Sequence, residues 1–369
     1  MIIMKINSAV NIEQIENDYH ITINLVDICQ HDLLISYIND LKEFIVKHDI
    51  FIIYQKIYRN CNQEIAKIIE ENLQWERQIN APITFALSYD SPYETSAIGV
   101  HLYGKNKSEI INIKTSKSND CAYIQYDSGG MNYLYGYHIF DRPEEGFNQL
   151  NLKLIEHNYK ASDIVRTWFY LNNILTEYQS FNQARNHFFA LNKISYKVDS
   201  KDLPASTCIG GKTCYGKSVI MIAAAHCDNK LLTKQRVYNN MQNEAEGNNY
   251  LYQPSFSRAM MILGYNRKEL QISGTASIGT DGQTKFLNNP YKQIELTLRN
   301  IINILDEVGM QMCDIVESNV YIKSKQYYSI FIDICKQLKI SFPYVCVISD
   351  VCRDDLLFEI DGIAKIKKG

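Results

Sequence analysis

The chain has 369 residues, 46% of them hydrophobic, with a formal net charge of −3 and ten cysteines. A near-neutral balance without a run of Lys or Arg excludes the electrostatic footprint of a nucleic-acid binder. The start, Met1-Ile2-Ile3-Met4-Lys5-Ile6-Asn7, lacks the basic-then-apolar pattern of a leader, and no apolar run approaches the roughly 18 residues of a membrane span.

These bounds lead to the expectation of a soluble, cytoplasmic protein of two or three domains that acts on a small molecule. Its cysteines are irregularly spaced and read as reduced, mostly buried thiols. His226-Cys227, with Cys208 and Cys214 nearby, has no second pair at metal-binding spacing, so no metal and no cofactor are expected.

In chain order, residues 1–119 read as an N-terminal α/β part with amphipathic segments at Leu33 to Ile50 and Cys61 to Trp75. Lys105 to Asp120 is rich in Lys, Asn and Ser and reads as flexible. An internal repeat follows. Asp163-Ile164-Val165 lines up with Asp314-Ile315-Val316, 151 positions on, and Phe147, Leu150 and Leu154 fall on Leu298, Ile301 and Leu305.

In the second copy Asn289-Pro290 is an N-cap with a first-turn proline, the apolar stripe is helical, and Gly309 closes the helix. Ile315 to Ile322 is a β-rich strand. A further helix follows in each copy, Gln179 to Leu191 and Lys325 to Leu338, and then a terminal strand pair. The copies span 120–238 and 250–369, joined by a polar linker from Asn239 to Asn249. The fold class is therefore α+β: two repeats of mixed sheet with helices packed on one face, plus the N-terminal part.

Residues 211–218, GKTCYGKS, match the pattern of a phosphate-cradling loop. The motif has its meaning between a strand and a helix, where amide N–H groups surround phosphates. At an ungapped shift of 139, Ala205 to Ala225 lies over Tyr344 to Ala364, where a polar link joins two strand-like runs. The match thus falls on a turn between strands, and nucleotide binding is not expected.

The same alignment sets Glu359 opposite Ile220. A carboxylate where the other copy packs Ile suggests a desolvated acid with a raised pKa, fit for proton transfer. The alternation of Leu357, Glu359 and Asp361 fits an outward, solvated face, the commoner setting of a carboxylate and the one the pattern alone favours.

Five blocks in order carry a resemblance: Arg166-Thr167-Trp168; Tyr178-x-x-Phe181-Asn182-x-Ala184-Arg185; Pro204-Ala205-Ser206-Thr207-x-Ile209-Gly210; Pro254-Ser255-Phe256-Ser257-Arg258-Ala259; and Cys352-Arg353-x-Asp355-Leu356-Leu357-x-Glu359. Together with Gly274-Thr275-Ala276-Ser277 and the ending Phe358 to Ala364, they resemble the chorismatases. These are pyruvate-releasing enzymes of the RidA/YjgF-like superfamily, whose repeats are chorismate-mutase-like.

The resemblance implies chorismate as substrate and Glu359 as general acid. It implies Cys352 as the residue that accompanies 3-hydroxybenzoate formation, alone or with 4-hydroxybenzoate, where a smaller residue accompanies hydrolysis to a dihydroxycyclohexadiene carboxylate. Binding of a dicarboxylate calls for arginine forks, from Arg258, Arg185, Arg166 or Arg353, beside Gly274 and Thr275.

It also implies either a monomer with pseudo-symmetric repeats or a trimer. Tyr344 stands near where deaminase-type relatives carry a carboxylate-binding Arg, which counts against an enamine or imine deaminase. A non-catalytic protein that binds a small carboxylate is the remaining alternative.

Overall fold

The computed structural model describes residues 2–7, 9–24, 31–60, 82–92, 97–195, 201–227, 233–239, 242, 245–246, 249–250, 254–264 and 267–367. Three six-stranded sheets form. The first holds β1 (Ile2–Lys5), β2 (Val10–Ile15), β3 (Asp18–Asn24), β4 (Ile50–Arg59), β5 (Ile83–Ser88) and β6 (Ala97–Asn106). The second holds β7 (Ile111–Lys117), β8 (Cys121–Ser128), β9 (Met131–Phe140), β10 (Ile164–Leu171), β11 (Ala205–Gly210) and β12 (Ser218–His226).

The third follows β13 (Thr233–Val237) and a short ribbon, β14 (Ala245–Glu246) with β15 (Asn249–Tyr250). To β13 it adds β16 (Ala259–Leu263), β17 (Arg267–Ala276), β18 (Ile315–Ile322), β19 (Val345–Ile348) and β20 (Phe358–Lys367). Their spatial orders are β1-β2-β3-β6-β4-β5, β7-β8-β9-β12-β10-β11 and β13-β16-β17-β20-β18-β19. All three share one topology, with the fourth and fifth strands in chain order (β4 and β5, β10 and β11, β18 and β19) parallel and the other neighbours antiparallel.

The N-terminal third is therefore a third copy of the unit, which the sequence does not reveal. Its helix α1 (His31–Lys47) packs Ile38, Leu41 and Ile45 on the outer face of the first sheet. In the second unit α2 (Pro143–Glu156) and α3 (Ile174–Leu191) do the same through Phe147, Leu150, Leu154 and Phe181. In the third, α4 (Pro290–Asp306) and α5 (Tyr327–Leu338) bury Leu298, Ile301, Leu305 and Phe331. Each such side chain contributes roughly 1.5–3 kcal/mol when fully buried.

The expected N-cap is present, with the Asn289 side chain accepting from the Lys292 N–H at 3.0 Å, and Gly309 closes the helix with φ +68°. The segment Cys61 to Trp75 lies outside the described residues. Among the described residues no helix is long and apolar enough to cross a membrane.

The inner faces of the three sheets meet in one core built from Tyr54, Tyr135, Met221, Val316 and their neighbours. The fifth strand of each unit packs on the next unit: β5 on β8 and β9, β11 on β16 and β17, β19 on β3 and β6. Three equivalent backbone hydrogen bonds close the ring: Ser88 N to Lys212 O at 2.7 Å, Gly210 N to Asp350 O at 2.9 Å, and Ile348 N to Asp90 O at 3.1 Å.

The ring corrects several expectations. Within Lys105 to Asp120, residues Ile111–Lys117 form the edge strand β7, because their backbone pairs with β8 whatever their polarity. Asn239 and Gln242, read as linker, are buried, and Gln242 donates to the Ala276 carbonyl at 3.2 Å. The phosphate-loop match is a turn closed by Thr213 N to Lys217 O at 2.9 Å, ahead of strand β12 rather than a helix.

The ungapped shift of 139 is also one residue out, in opposite directions, on the last two strands. Thr207 pairs with Trp168 as Val345 pairs with Asn319, and Val219 pairs with Tyr170 as Glu359 pairs with Tyr321. A one-residue slip exchanges the faces of a strand. The true counterpart of Glu359 is Val219, on the inward face.

Candidate active site at one seam of the ring

Comparing the three seams shows where chemistry can sit. The Glu359 position is occupied by Val219 in the second unit and by Gly99 in the first, whose partner Tyr58 is the counterpart of Tyr321. At Gly99 a Cβ would stand 2.8 Å from Val345 of the preceding unit, so that seam is filled. Only the seam between the second and third units places a carboxyl there.

It is held shut on either side by backbone contacts. Ser206 N donates to Ser273 Oγ at 2.8 Å, and Ser257 N donates to Pro204 O at 3.0 Å. A bulge in β17 between Ile272 and Thr275 turns Gly274 toward β20, as bulges beside functional sites commonly do.

A narrow pocket opens in this seam, lined by Glu359, Arg258, Arg185, Cys352, Cys208, Gly274 and Phe256 among others. Arg258 and Arg185 approach the Phe256 ring from 5.3 and 5.9 Å. Arg185 is further held by Asn182, accepting at 2.6 Å, and by the Phe181 ring at 5.4 Å. Stacking and burial leave both guanidinium groups pre-positioned for an anion.

Glu359 is 5% exposed. Burial first, and then the neighbouring Asp361, push its carboxyl up from 4.5 to about 8, while Arg258 and Arg166 pull the other way. The site thus holds a neutral acid beside fixed cations at neutral pH. The Cys352 thiol, hydrogen-bonded with Tyr178, is pushed up to about 12 by burial and then by Glu359, and is a neutral thiol. Among the described residues no group of His, Cys, Asp and Glu is arranged to hold a metal.

Of the residues singled out from sequence, Glu359, Cys352, Arg258, Arg185 and Gly274 meet in this pocket. Arg166, Arg353 and Thr275 do not line it. Arg166 is buried against Asp361 at 3.1 Å and donates to Thr207 Oγ1 at 2.6 Å. Arg353 donates to the Gly282 carbonyl at 2.7 Å, and the Thr275 hydroxyl to the Ser273 carbonyl at 2.9 Å. Tyr344 packs on Phe331 and meets the Tyr328 hydroxyl at 3.0 Å, on the helix side of its sheet.

Sequence reasoning passed over Tyr178, Phe256, Cys208 and Asp361. The first two stand inside the quoted blocks, and Asp361 follows Glu359 at strand spacing. Cys208 carried no signal.

Gly274 has a specific task. A Cβ there would lie 2.1 Å from Glu359 Oε1 and 3.3 Å from the Thr207 methyl, so Gly274→Ala must expel the carboxyl from its seat. The expected result is loss of at least tenfold in turnover with the fold retained, read by steady-state kinetics beside circular dichroism.

The comparisons with known proteins concern the fold. Residues 253–366 match the family model Endoribonuclease L-PSP. Over the whole ring the chain is similar to a crystal structure of chorismatase, with TM-score 0.62 and 17% identity, covering 85% of this chain and 93% of that one.

Single-unit structures match about a third of the chain. They include RidA from an Antarctic Psychrobacter (TM-score 0.28, 20% identity, 36% of this chain and 99% of that one) and yeast Mmf1 (0.29, 20%, 37% and 100%). No curated protein matches the chain. The fold of the whole ring is similar to that of the chorismatase structure.

Proposed function

We propose that the chain is a chorismatase, cleaving the enolpyruvyl ether of chorismate and releasing pyruvate, with Glu359 as general acid. The observation that carries this reading is the buried Glu359 carboxyl, raised to about 8, in a pocket it shares with Arg258 and Arg185. The two guanidinium groups suit the two carboxylates of chorismate, each able to accept a pair of parallel hydrogen bonds.

Glu359 delivers its proton to the methylene carbon of the enol ether. The π pair becomes the new C–H bond and leaves an oxocarbenium centre. Capture by water gives a hemiketal, the surplus proton returns to Glu359, and collapse yields pyruvate and a dihydroxycyclohexadiene carboxylate. Without added water the ring C3–O bond breaks, its pair going to the pyruvate carbonyl, while the C4 hydroxyl oxygen loses its proton and bridges to C3. Reprotonation of that oxygen, opening of its C4–O bond and loss of the C3 proton leave 3-hydroxybenzoate. Loss of the C4 proton without bridging leaves 4-hydroxybenzoate, and either product with pyruvate accounts for every atom of chorismate.

Cys352 lines the pocket with Glu359, and the resemblance, in which a cysteine at this spacing accompanies 3-hydroxybenzoate, supports the second course. The test is incubation with chorismate, with pyruvate measured enzymatically and the ring product resolved by chromatography. Pyruvate with 3-hydroxybenzoate is expected, and Cys352→Ala should turn the ring product toward the dihydroxy acid. Ammonia release from an enamine without pyruvate from chorismate would favour a deaminase instead. Because the acid works only while protonated, turnover should be full below about pH 8 and fall as pH rises through it.

A further inference from the structure

Burial is the first cause that keeps the proton on Glu359, and the seam adds a second. Glu359 and Asp361 alternate on the same inward face of β20, roughly 7 Å apart along the strand. Asp361 stands where the second unit packs Met221 and the first His101, so its charge is particular to this unit. It is 1% exposed and held from three sides: Arg166 of the second unit at 3.1 Å, Asn319 Nδ2 donating at 2.7 Å, and the Tyr321 hydroxyl at 3.4 Å. None of these groups lines the pocket.

We propose that Asp361 is a positioning residue for Glu359: its carboxylate, pinned by Arg166, Asn319 and Tyr321 behind the pocket wall, makes a second negative charge on that face unfavourable and so holds the proton on Glu359. Two carboxylates facing one apolar interior cannot both ionise without cost, and the one with the better donors takes the charge. Asp361 has the donors. The titratable and charged groups around Glu359 are Asp361 on its own strand, Tyr321 opposite it on β18, Arg166 on β10, Cys208 on β11, Arg258 ahead of β16, Tyr178 and Arg185 on α3, and Cys352 ahead of β20.

Of these, Asp361 is the one other carboxyl. The thiols are held neutral, Cys352 pushed up to about 12 and Cys208 well above its ordinary value, by burial first in both cases. Arg166 accordingly serves as a clamp on Asp361 whose positive charge moderates its effect, in place of the substrate contact that the sequence suggested.

This inference rests on the proposed role of Glu359 as acid, and its test separates the two. The pH dependence of pyruvate release from chorismate is measured for wild type, Asp361→Asn and Arg166→Gln. In parallel, Glu359 is titrated directly through its protonated-carboxyl infrared band, identified by difference against Glu359→Gln.

Asp361→Asn, nearly isosteric, should move the alkaline limb and the infrared midpoint down by roughly one pH unit or more. Arg166→Gln should move both up. A role of Asp361 in packing alone would lower activity uniformly without moving either midpoint, and coincident midpoints in wild type, Asp361→Asn and Arg166→Gln would overturn the proposal. If wild type releases no pyruvate, the chorismatase reading falls, while the infrared titration still decides whether Asp361 governs Glu359. Should Asp361→Asn fail to fold, the direction of the Arg166→Gln shift decides alone.

Discussion

Glu359→Gln is expected to lower pyruvate release from chorismate by about 10²- to 10⁴-fold, the usual worth of a positioned acid. Glutamine keeps the shape and loses the proton, so KM should change far less than kcat. The same variant should be more stable than wild type at alkaline pH. Burial raises the Glu359 pKa from 4.5 to about 8, so the folded chain retains a proton that the unfolded chain has released across that window.

Native stability contributed by that proton is complete below about pH 4.5 and is lost as pH rises through about 8. The gap in melting temperature between Glu359→Gln and wild type should therefore open on going from acid to alkali and level off above about pH 8. Equal melting temperatures throughout would mean that the carboxyl is not desolvated, and the catalytic proposal would lose its support.

The second large effect concerns the ring. Glu317, on the inward face of β18, accepts from Tyr54 at 2.6 Å, is paired with Lys56 and lies 3.4 Å from His20, all three in the first unit. Burial opposes its charge, yet Lys56 and His101 hold the carboxyl well below the usual range. Removing one partner of a buried pair leaves the other charge uncompensated, so Glu317→Gln should cost about 3–5 kcal/mol in denaturant unfolding.

Replacing Glu317, Lys56 and His20 together by apolar residues of similar volume should cost far less, or nothing. A loss equal in the single and triple variants would show that an uncompensated buried charge is not the source of the cost. The prediction links sequence to assembly, because no residue of this set has its partner within its own unit.

How much of this was legible follows from what each unit contributes. The α4 helix was readable to within a few residues from Asn289, Pro290 and Gly309, since caps and φ restrictions are local physics. Ile315–Ile322 was readable as a strand, and the pairing of Glu359 with a pocket was readable from motif blocks. The first unit was hidden because its apolar positions keep the strand and helix periods while its residues differ: Tyr54, Lys56 and Tyr58 stand where the second unit has Arg166, Trp168 and Tyr170.

The face of Glu359 was ambiguous for a related reason. Alternation shows which residues share a side of a strand, and here the side that carries charge is the interior, because three sheets close around it. The role of Arg166 could not be read from sequence either, since its partner Asp361 lies 195 positions away in another unit.

One consequence of the closed ring concerns mass action. A site assembled from separate subunits disappears when they part on dilution, whereas here the strands that flank Glu359 belong to one covalent chain and stay together at any concentration. A gene encoding three linked units can also vary each junction alone, so a single codon change reaches one crevice and leaves its two structural cousins untouched.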